Sequence, residues 1–208
     1  MRPLSVVIAA GEDGQALEAC LTSLQQQEPD GMIETIVVDG TADGTAFPAV
    51  RNFPDVKFIR ADSPRLTPEL WAYGARHATG EVVAFTTGHF VPAEDWVSEL
   101  LSQLSAEYAA VGGAIEQSEP ASLSQWAVYF CRYAGYMSPF PPQKATQIPG
   151  DNSAYKRWVL DEYAPMIREG FWEYEINRRL IADGHALLLS PSMRVHHMQS
   201  STAGAFCR

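Results

Sequence analysis

The segment Thr86-Thr87-Gly88-His89 places hydroxyl and imidazole side chains directly after a dense apolar run. That run, 82–85, is β-branched and aromatic without polar alternation, which is typical of a strand buried on both faces of a parallel sheet. Ligands of such sheets bind beyond the carboxyl ends of the strands, so we expect a ligand beside this segment. A neutral His89 can bind a metal and a cationic one can neutralise phosphate, whereas the alternative is a loop histidine without a ligand.

Two aspartates follow the predicted strand 33–38 within one glycine-containing loop. Asp39 comes directly after the strand, at the edge where ligands bind, and its carboxylate can accept hydrogen bonds from a ribose or a base. Asp43 suits a turn or a helix cap as well as a ligand contact. An earlier loop contains Gly11 and Gly14 without the GxGxxG spacing, which argues against a nicotinamide-dependent enzyme.

Polar and acidic side chains recur in the second half of the chain. Asp151 and Asn152 precede a short apolar segment, where they either contact a ligand or form a turn and a cap. Glu173 lies in the first turn of a predicted helix, where the helix dipole stabilises an acid by roughly 0.3 to 1 kcal/mol. The helix dipole does not explain the aromatic Trp172 beside Glu173. The aromatic segment 122–137 either lines a groove or packs in the core.

The apolar pattern predicts strands that alternate with helices. The expected strands are 4–8, 33–38, 56–59, 82–85 and 109–115, followed by two short final strands, 186–189 and 193–196. The expected helices are 15–26, 67–77, one with Pro92 in its first turn that runs to Leu104, and one that is apolar at Ile176, Leu180 and Ile181. Segment 138–148 contains three prolines and is expected to be a loop. This order predicts an α/β fold with a doubly wound, Rossmann-like, mostly parallel sheet between two layers of helices.

Composition and charge restrict the class of protein. The chain has 208 residues, 46% of them hydrophobic, which suits one domain with a substantial core. The net charge of −10 argues against a nucleic-acid-binding protein, which needs a basic surface. The three cysteines fit neither metal nor redox spacing, so we expect reduced thiols in a cytoplasmic protein. No run reaches the roughly 18 apolar residues of a membrane span.

Five segments resemble, in this order, the family 2 glycosyltransferases of the GT-A fold over nearly the whole chain. They are LSVVIAAGEDGQALEACLTSL, IETIVVDGTADGT, ATGEVVAFTTGHFVPAEDW, IPGDNSAYKR and GFWEYEINRRLIADGHALLLSP. The resemblance implies an inverting hexosyltransferase of polysaccharide biosynthesis. Such an enzyme moves a sugar from a nucleotide-sugar donor, a UDP- or GDP-sugar, to a saccharide or lipid-linked acceptor, usually with Mn or Mg. The alternative is a catalytically silent domain that keeps the fold and binds nucleotide or a partner.

The resemblance also implies which residues meet the donor and which meet the acceptor. The implied donor-binding residues are Glu12, Asp39, Asp43 and Thr87, and the implied acceptor-binding residues are Asp151, Asn152 and Trp172. On the same basis, residues 1–105 form the nucleotide-sugar-binding half of a single domain and residues 106–208 form the acceptor-binding half. The chain ends at Arg208 without a closing element, which predicts a longer protein whose further sequence associates with the cytoplasmic face of the membrane.

The chain departs from the family at the metal motif. Where the family has Asp-x-Asp after the fourth strand, this chain has Thr87-Gly88-His89, so both carboxylates are missing. Hard cations prefer oxygen ligands. We therefore expect weak divalent-ion binding that depends on the diphosphate, with His89 as one contact. A histidine after the last strand is the second metal contact that the resemblance implies. Strand alternation lets only one of His196 and His197 face the site, and alignment to the family favours His196.

The family's acidic pair at the start of the catalytic helix is Trp172-Glu173 here. One acid survives, so the resemblance implies that Glu173 is the general base that takes the proton of the acceptor hydroxyl. Glu175 is the nearest competitor, but it lies about 200° around the helix from Glu173. Only one of the two can face the acceptor.

Overall fold

The computed structural model of the protein describes residues 3–11, 13–27, 32–41, 46–63, 65–104, 106–118 and 120–198. Within these ranges the chain forms one sheet of nine strands with helices on both faces. Two of the expected donor contacts, Glu12 and Asp43, lie outside the described ranges, as does the end of the chain at Arg208.

The elements follow the chain in the order strand, helix, strand through its first half. The strands are Leu4–Ala10 (β1), Ile33–Asp39 (β2), Lys57–Arg60 (β3), Val82–Thr87 (β4), Phe90–Pro92 (β5), Tyr108–Gln117 (β6), Gln143–Ala145 (β7), Ser153–Lys156 (β8) and Ala186–His197 (β9). The α-helices are Gly14–Gln26 (α1), Phe47–Val50 (α2), Thr67–Ala75 (α3), Trp96–Gln103 (α4), Leu123–Tyr133 (α5), Arg157–Glu162 (α6), Ala164–Ile167 (α7) and Glu173–Ala182 (α8). Two single 3-10 turns span Ala134–Tyr136 and Gly150–Asn152. No helix in the described ranges combines the length and the apolar character that a bilayer crossing requires.

The sheet is mixed, with four parallel and four antiparallel strand pairings among the described residues. Its strand order is β3-β2-β1-β4-β8-β6-β9-β5, and β7 pairs with β9 outside this order. The pairs β1 with β2, β1 with β4, and β2 with β3 are parallel. Strand β8 is antiparallel to both β4 and β6, so β6 and its parallel partner β9 run in the direction of β4. The predicted α/β fold with helices on both faces of the sheet is confirmed. Within the sheet, β5, β7 and β8 run against the direction of the other six strands.

Strand alternation divides the core into two layers, one on each face of the sheet. Ile8 belongs to the layer that contains α1, α4 and α5, whereas its neighbour Val7 belongs to the layer that contains α3, α6 and α8. All seven residues of β1 are buried. Helices therefore cover both faces of this strand, which explains why its sequence is apolar without alternation.

The structure corrects the predicted start of the helix after β4. Pro92 does not open that helix but ends β5, and α4 begins at Trp96. Strand β5 pairs antiparallel with β9, so that Phe90 lies opposite His197 and Pro92 lies opposite Val195. Proline is tolerated here because β5 is the last strand in the sheet order. The pairing partner is distant in sequence, so the local pattern carried no sign of it.

The two predicted final strands are one continuous strand, β9. Its register with β6 shifts between Gly113 and Ala114, so that residues 191–193 lie opposite no residue of β6. This irregularity falls at Pro191, where the apolar pattern suggested a break. The sequence interpretation also missed β7, which lies inside the expected loop 138–148, and β8, because each is only three or four residues long.

Gly113 lies at this register shift, where no side chain fits. A Cβ atom on Gly113 would overlap the main-chain oxygen of Met193 and the side-chain amide of Asn152. We expect Gly113→Ala to lower the free energy of unfolding by at least about 2 kcal/mol, because a main-chain atom cannot move aside cheaply. Chemical denaturation measures this difference.

Gly135→Ala is the matched control, since a Cβ atom there would have no heavy atom within 4 Å. We expect its unfolding midpoint to stay close to that of the parent protein. Equal midpoints for the Gly113 and Gly135 variants would contradict the packing described for β6 and β9.

Candidate active site

Asp39 and Thr87 end neighbouring strands at one edge of the sheet. Asp39 is paired with Ala10 across β2 and β1, and Thr87 is paired with Ala9 across β4 and β1. The two side chains therefore lie within one residue of the same level along β1. This places the expected nucleotide contact and the expected diphosphate contact at the carboxyl ends of parallel strands, where ligands of such sheets bind.

The Asp39 carboxylate is buried and only half satisfied. Its Oδ1 accepts hydrogen bonds from the main-chain N–H of Thr41 at 2.8 Å and from the Thr41 hydroxyl at 2.7 Å. Its Oδ2 is buried without a hydrogen-bond partner, and within the described ranges only Thr86 Oγ1 shares this property. A buried carboxylate oxygen without a donor is costly. Oδ2 can therefore accept a hydrogen bond from a ribose hydroxyl or a base N–H.

Thr87 and His89 contact each other directly. The Thr87 hydroxyl lies 3.1 Å from Nδ1 of His89, and the Gly88 N–H donates to the carbonyl of Ala9 at 3.0 Å. Burial lowers the pKa of His89 to about 3, and the nearby charges of His197 and Arg132 act in the same direction. His89 is therefore a neutral imidazole near pH 7, able to donate or accept a hydrogen bond but not to supply a charge.

His197, not His196, faces His89. The antiparallel pairing of β5 with β9 brings the His197 ring to 5.4 Å from the His89 ring and to 5.1 Å from the Phe90 ring. Its Nδ1 lies 3.1 Å from the side-chain oxygen of Gln117. Burial, and secondly the charge of Arg132, lowers the pKa of His197 to about 4. A second neutral imidazole thus lines this side of the site.

The expectation that His196 contacts a metal here is therefore wrong. Its side chain is half exposed on the other side of β9, with Nδ1 3.7 Å from a carboxylate oxygen of Glu116. Alternation along the strand puts Val195 and His197 on the buried side. The sequence contained one usable sign, the apolar residue Val195. Residues two positions apart in a strand face the same side, so an apolar Val195 indicates that His197 faces inward.

Helix α5 adds a cation and a phenol that the sequence interpretation did not identify. The Tyr133 hydroxyl donates to Oδ2 of Asp151 at 3.4 Å, and the Tyr133 ring lies 5.3 Å from the His197 ring. The Arg132 guanidinium carbon lies 5.4 Å from the centre of the Tyr133 ring. The core alternative for this aromatic segment holds for both Tyr129, which donates to the carbonyl of Ile115, and Tyr133.

Asp151 is a partly buried acid beside Glu173. Burial raises the pKa of Asp151 to about 6; Arg132 opposes that shift, whereas Glu173 adds to it. Burial likewise raises the pKa of Glu173. Burial raises the pKa of Tyr136 as well, with further contributions from both carboxylates. These three side chains form one acidic wall.

Glu173 is the first residue of α8, and its carboxyl group rests on the main chain of the 3-10 turn that contains Asp151. A Cβ atom on Gly150 would lie only 2.9 Å from the Glu173 carboxyl carbon. Glu175 points away and forms an exposed ion pair with Arg178 at 2.9 Å. Trp172 is 48% exposed at the mouth of this wall. Of the two acids in the first turn of α8, only Glu173 thus lies beside Asp151.

The structure corrects the role expected for Asn152. Its side chain is fully buried: Oδ1 accepts from Trp96 Nε1 at 2.8 Å, and Nδ2 donates to the carbonyls of Ala114 and Met193, each at 2.8 Å. An acceptor cannot reach this amide without breaking those bonds. Asn152 therefore fixes the turn that carries Asp151 rather than binding an acceptor.

The side chains at the expected metal position do not suit Mg or Mn. Within the described ranges no three His, Cys, Asp or Glu side chains come together in a way that could hold a metal ion. The position offers the hydroxyl of Thr87 and the imidazoles of His89 and His197, whereas hard cations prefer carboxylate and carbonyl oxygens.

Comparison with known proteins agrees with the fold. A search of curated proteins found no match. Solved structures of the same fold include the mannosyltransferase PcManGT from Pyrobaculum calidifontis in complex with GDP-Man and Mn2+, at 18% sequence identity and a TM-score of 0.71. They also include TarS from S. aureus in complex with UDP-GlcNAc, at 11% identity and a TM-score of 0.71. These alignments cover 98% and 96% of this chain but 59% of each of the other chains.

A match at the level of sequence is more specific than the shared fold. Residues 5–164 match the family model for glycosyl transferase family 2. This stretch contains β1, β2 and β4 together with Asp39, Thr87 and Asp151. The family inferred from the sequence segments is thereby confirmed, and the fifth segment, 170–191, lies beyond the matched residues. Because the match covers well over half of the 208 residues, the chain belongs to glycosyl transferase family 2.

Proposed function

We propose that the protein transfers a sugar from a nucleotide-sugar donor to a saccharide or lipid-linked acceptor, with inversion at the anomeric carbon. The observation that carries the proposal is the unpartnered, buried Oδ2 of Asp39 at the carboxyl edge of the sheet. PcManGT holds GDP-Man and TarS holds UDP-GlcNAc in structures of the same fold. We propose the same donor class, a UDP- or GDP-sugar, for this chain. We further propose that the protein acts in polysaccharide biosynthesis at the cytoplasmic face of a membrane.

The donor lies along the edge formed by β2, β1 and β4 in this proposal. The nucleoside occupies the position beside Asp39, where Oδ2 accepts its hydrogen bond. The diphosphate then reaches Thr87, whose hydroxyl and neighbouring main chain lie two strands away. This order directs the sugar toward the acidic wall of Asp151 and Glu173. Residues 1–105 thus bind most of the donor, and residues 106–208 supply the acceptor side. Strand β9 belongs to the second half, but its His197 contacts the donor half.

Glu173 is the proposed general base. The acceptor hydroxyl oxygen attacks the anomeric carbon as the bond from that carbon to the diphosphate oxygen breaks, and the nucleoside diphosphate leaves with the bonding electrons. The hydroxyl proton passes to the Glu173 carboxylate. Burial raises the pKa of Glu173, which makes its carboxylate a stronger base than an exposed glutamate. Trp172 supplies an exposed aromatic face on which an acceptor sugar can stack.

Asp39→Asn tests the donor site. The amide keeps Oδ1 as acceptor for Thr41 but replaces the unpartnered Oδ2 with a group that cannot accept. We expect UDP or GDP affinity, measured by calorimetry, to fall by at least about ten-fold, which corresponds to about 1.4 kcal/mol. Asp39→Ala should show the same loss.

Asp55→Ala, in the exposed turn before β3, is the matched control and should bind nucleotide as the parent protein does. Circular dichroism establishes that each variant is folded. Unchanged affinity in a folded Asp39→Asn protein would remove Asp39 from the donor site.

Glu173→Gln tests the base. We expect donor affinity to persist while turnover falls by at least about a hundred-fold, because the amide cannot take the acceptor proton. Since burial raises the pKa of Glu173, the base of the parent protein becomes protonated at a higher pH than an ordinary glutamate. As the pH is lowered, the rate should therefore fall with a midpoint that lies above the usual pKa of a glutamate.

Glu175→Gln is the control, since that side chain is exposed and paired with Arg178. A loss of turnover in this variant alone would show that Glu175, and not Glu173, is the general base. If the parent protein binds UDP or GDP but transfers sugar from no UDP- or GDP-sugar, the alternative of a catalytically silent nucleotide-binding domain replaces the proposal.

A further inference from the structure

The charge of the leaving diphosphate needs compensation at a site whose side chains do not suit a divalent metal. A nucleoside diphosphate gains negative charge as its bond to the sugar breaks, and fixed positive charge beside it lowers the barrier. Thr87, His89 and His197 supply hydrogen-bonding groups but no carboxylate ligand for Mn or Mg. The charge must therefore come from another side chain at the same position.

We propose that Arg132 supplies this charge, so that donor binding requires no divalent metal. The inference rests on the proposed function and names the group that recognises the diphosphate. Its basis is the position of Arg132 in the last turn of α5, where its guanidinium group packs over the Tyr133 ring. Tyr133 in turn contacts the His197 ring and the Asp151 carboxylate.

The charge of Arg132 is felt on both sides of the site, at the two histidines and at Asp151. It acts electrostatically on His89, on His197 and on Asp151, which come from three different segments of the chain. Its side chain packs over the Tyr133 ring, which the His197 ring also contacts.

The guanidinium group is also free to bind a ligand. Within the described ranges it forms neither a hydrogen bond nor an ion pair, although its charge is felt at Asp151. Arg132 is exposed and lines an open cavity of about 500 Å³ together with Tyr136, Gln143 and Thr146. A guanidinium group stays charged near pH 7 and can donate two parallel hydrogen bonds to phosphate oxygens.

The acids nearby make this charge necessary. Asp151 and Glu173 lie on the acceptor side, and Asp13 acts on His89 from the loop after β1. A diphosphate that approaches these three carboxylates without a cation meets repulsion. Arg132 offsets it, while the neutral imidazoles of His89 and His197 offer hydrogen bonds without adding charge.

The experiment is calorimetric titration of UDP and GDP into the metal-free protein, in the presence of EDTA or of Mn. We expect affinities that agree within about two-fold in the two conditions. Arg132→Ala should weaken UDP or GDP binding by at least about ten-fold, yet leave uridine or guanosine binding unchanged when measured by NMR. Arg132→Lys, which keeps the charge but loses the planar donor pair, should fall between the two.

Arg178→Ala is the matched control, because that arginine is paired with Glu175 on the outer side of α8. Loss of UDP and GDP binding in EDTA with recovery in Mn would overturn the inference, as would an Arg132→Ala protein that binds UDP and GDP as tightly as the parent. Failure of the parent protein to bind either nucleotide in both conditions would instead overturn the proposed function, and this inference with it.

Discussion

The side-chain amide of Asn152 is the contact on which the site depends. It joins α4, through Trp96, to β6 and β9, through the carbonyls of Ala114 and Met193. At that point β9 leaves its register with β6, so two carbonyl groups would otherwise be buried without donors. One amide satisfies both, and its own oxygen is satisfied by the indole. Asp151 precedes it in the chain, so this buried network fixes where the acidic wall stands.

The register shift that Asn152 stabilises also determines where His197 lies. Beyond the shift, β9 continues to its pairing with β5, where Phe90 lies opposite His197. That pairing holds His89 and His197 together, and Tyr133 closes the group from α5. A residue of the last strand thereby completes a site that begins at β2 and β4. The division into a donor half and an acceptor half describes the chain order better than it describes the site.

The sequence predicted those parts of the protein that depend on local pattern. The apolar runs of β1, β2 and β4 lie between two helical layers, so their composition alone indicated buried parallel strands, and Asp39 followed from the end of one of them. The site beyond Asp39 depends on pairing between distant segments. The contact between β5 and β9, which brings His197 to His89, leaves no local trace, although the apolar Val195 indicates which of the two histidines faces inward. Asn152 looked like a cap or a ligand contact because its partners are main-chain carbonyls far along the chain.

The sequence interpretation did not identify Arg132 for a related reason. The position of Arg132 explains the distribution of charge in the site. A lone arginine on an aromatic helix of an acidic protein resembles a solvated surface residue. Its importance comes from α5 packing against β6, where Tyr129 bonds to Ile115 and so fixes the helix end. The site then has a cation beside neutral imidazoles and two carboxylates whose pKa values burial raises. Positive charge and basic oxygen thus stand on adjacent walls, an arrangement that suits a reaction in which an anion leaves while a proton is taken up.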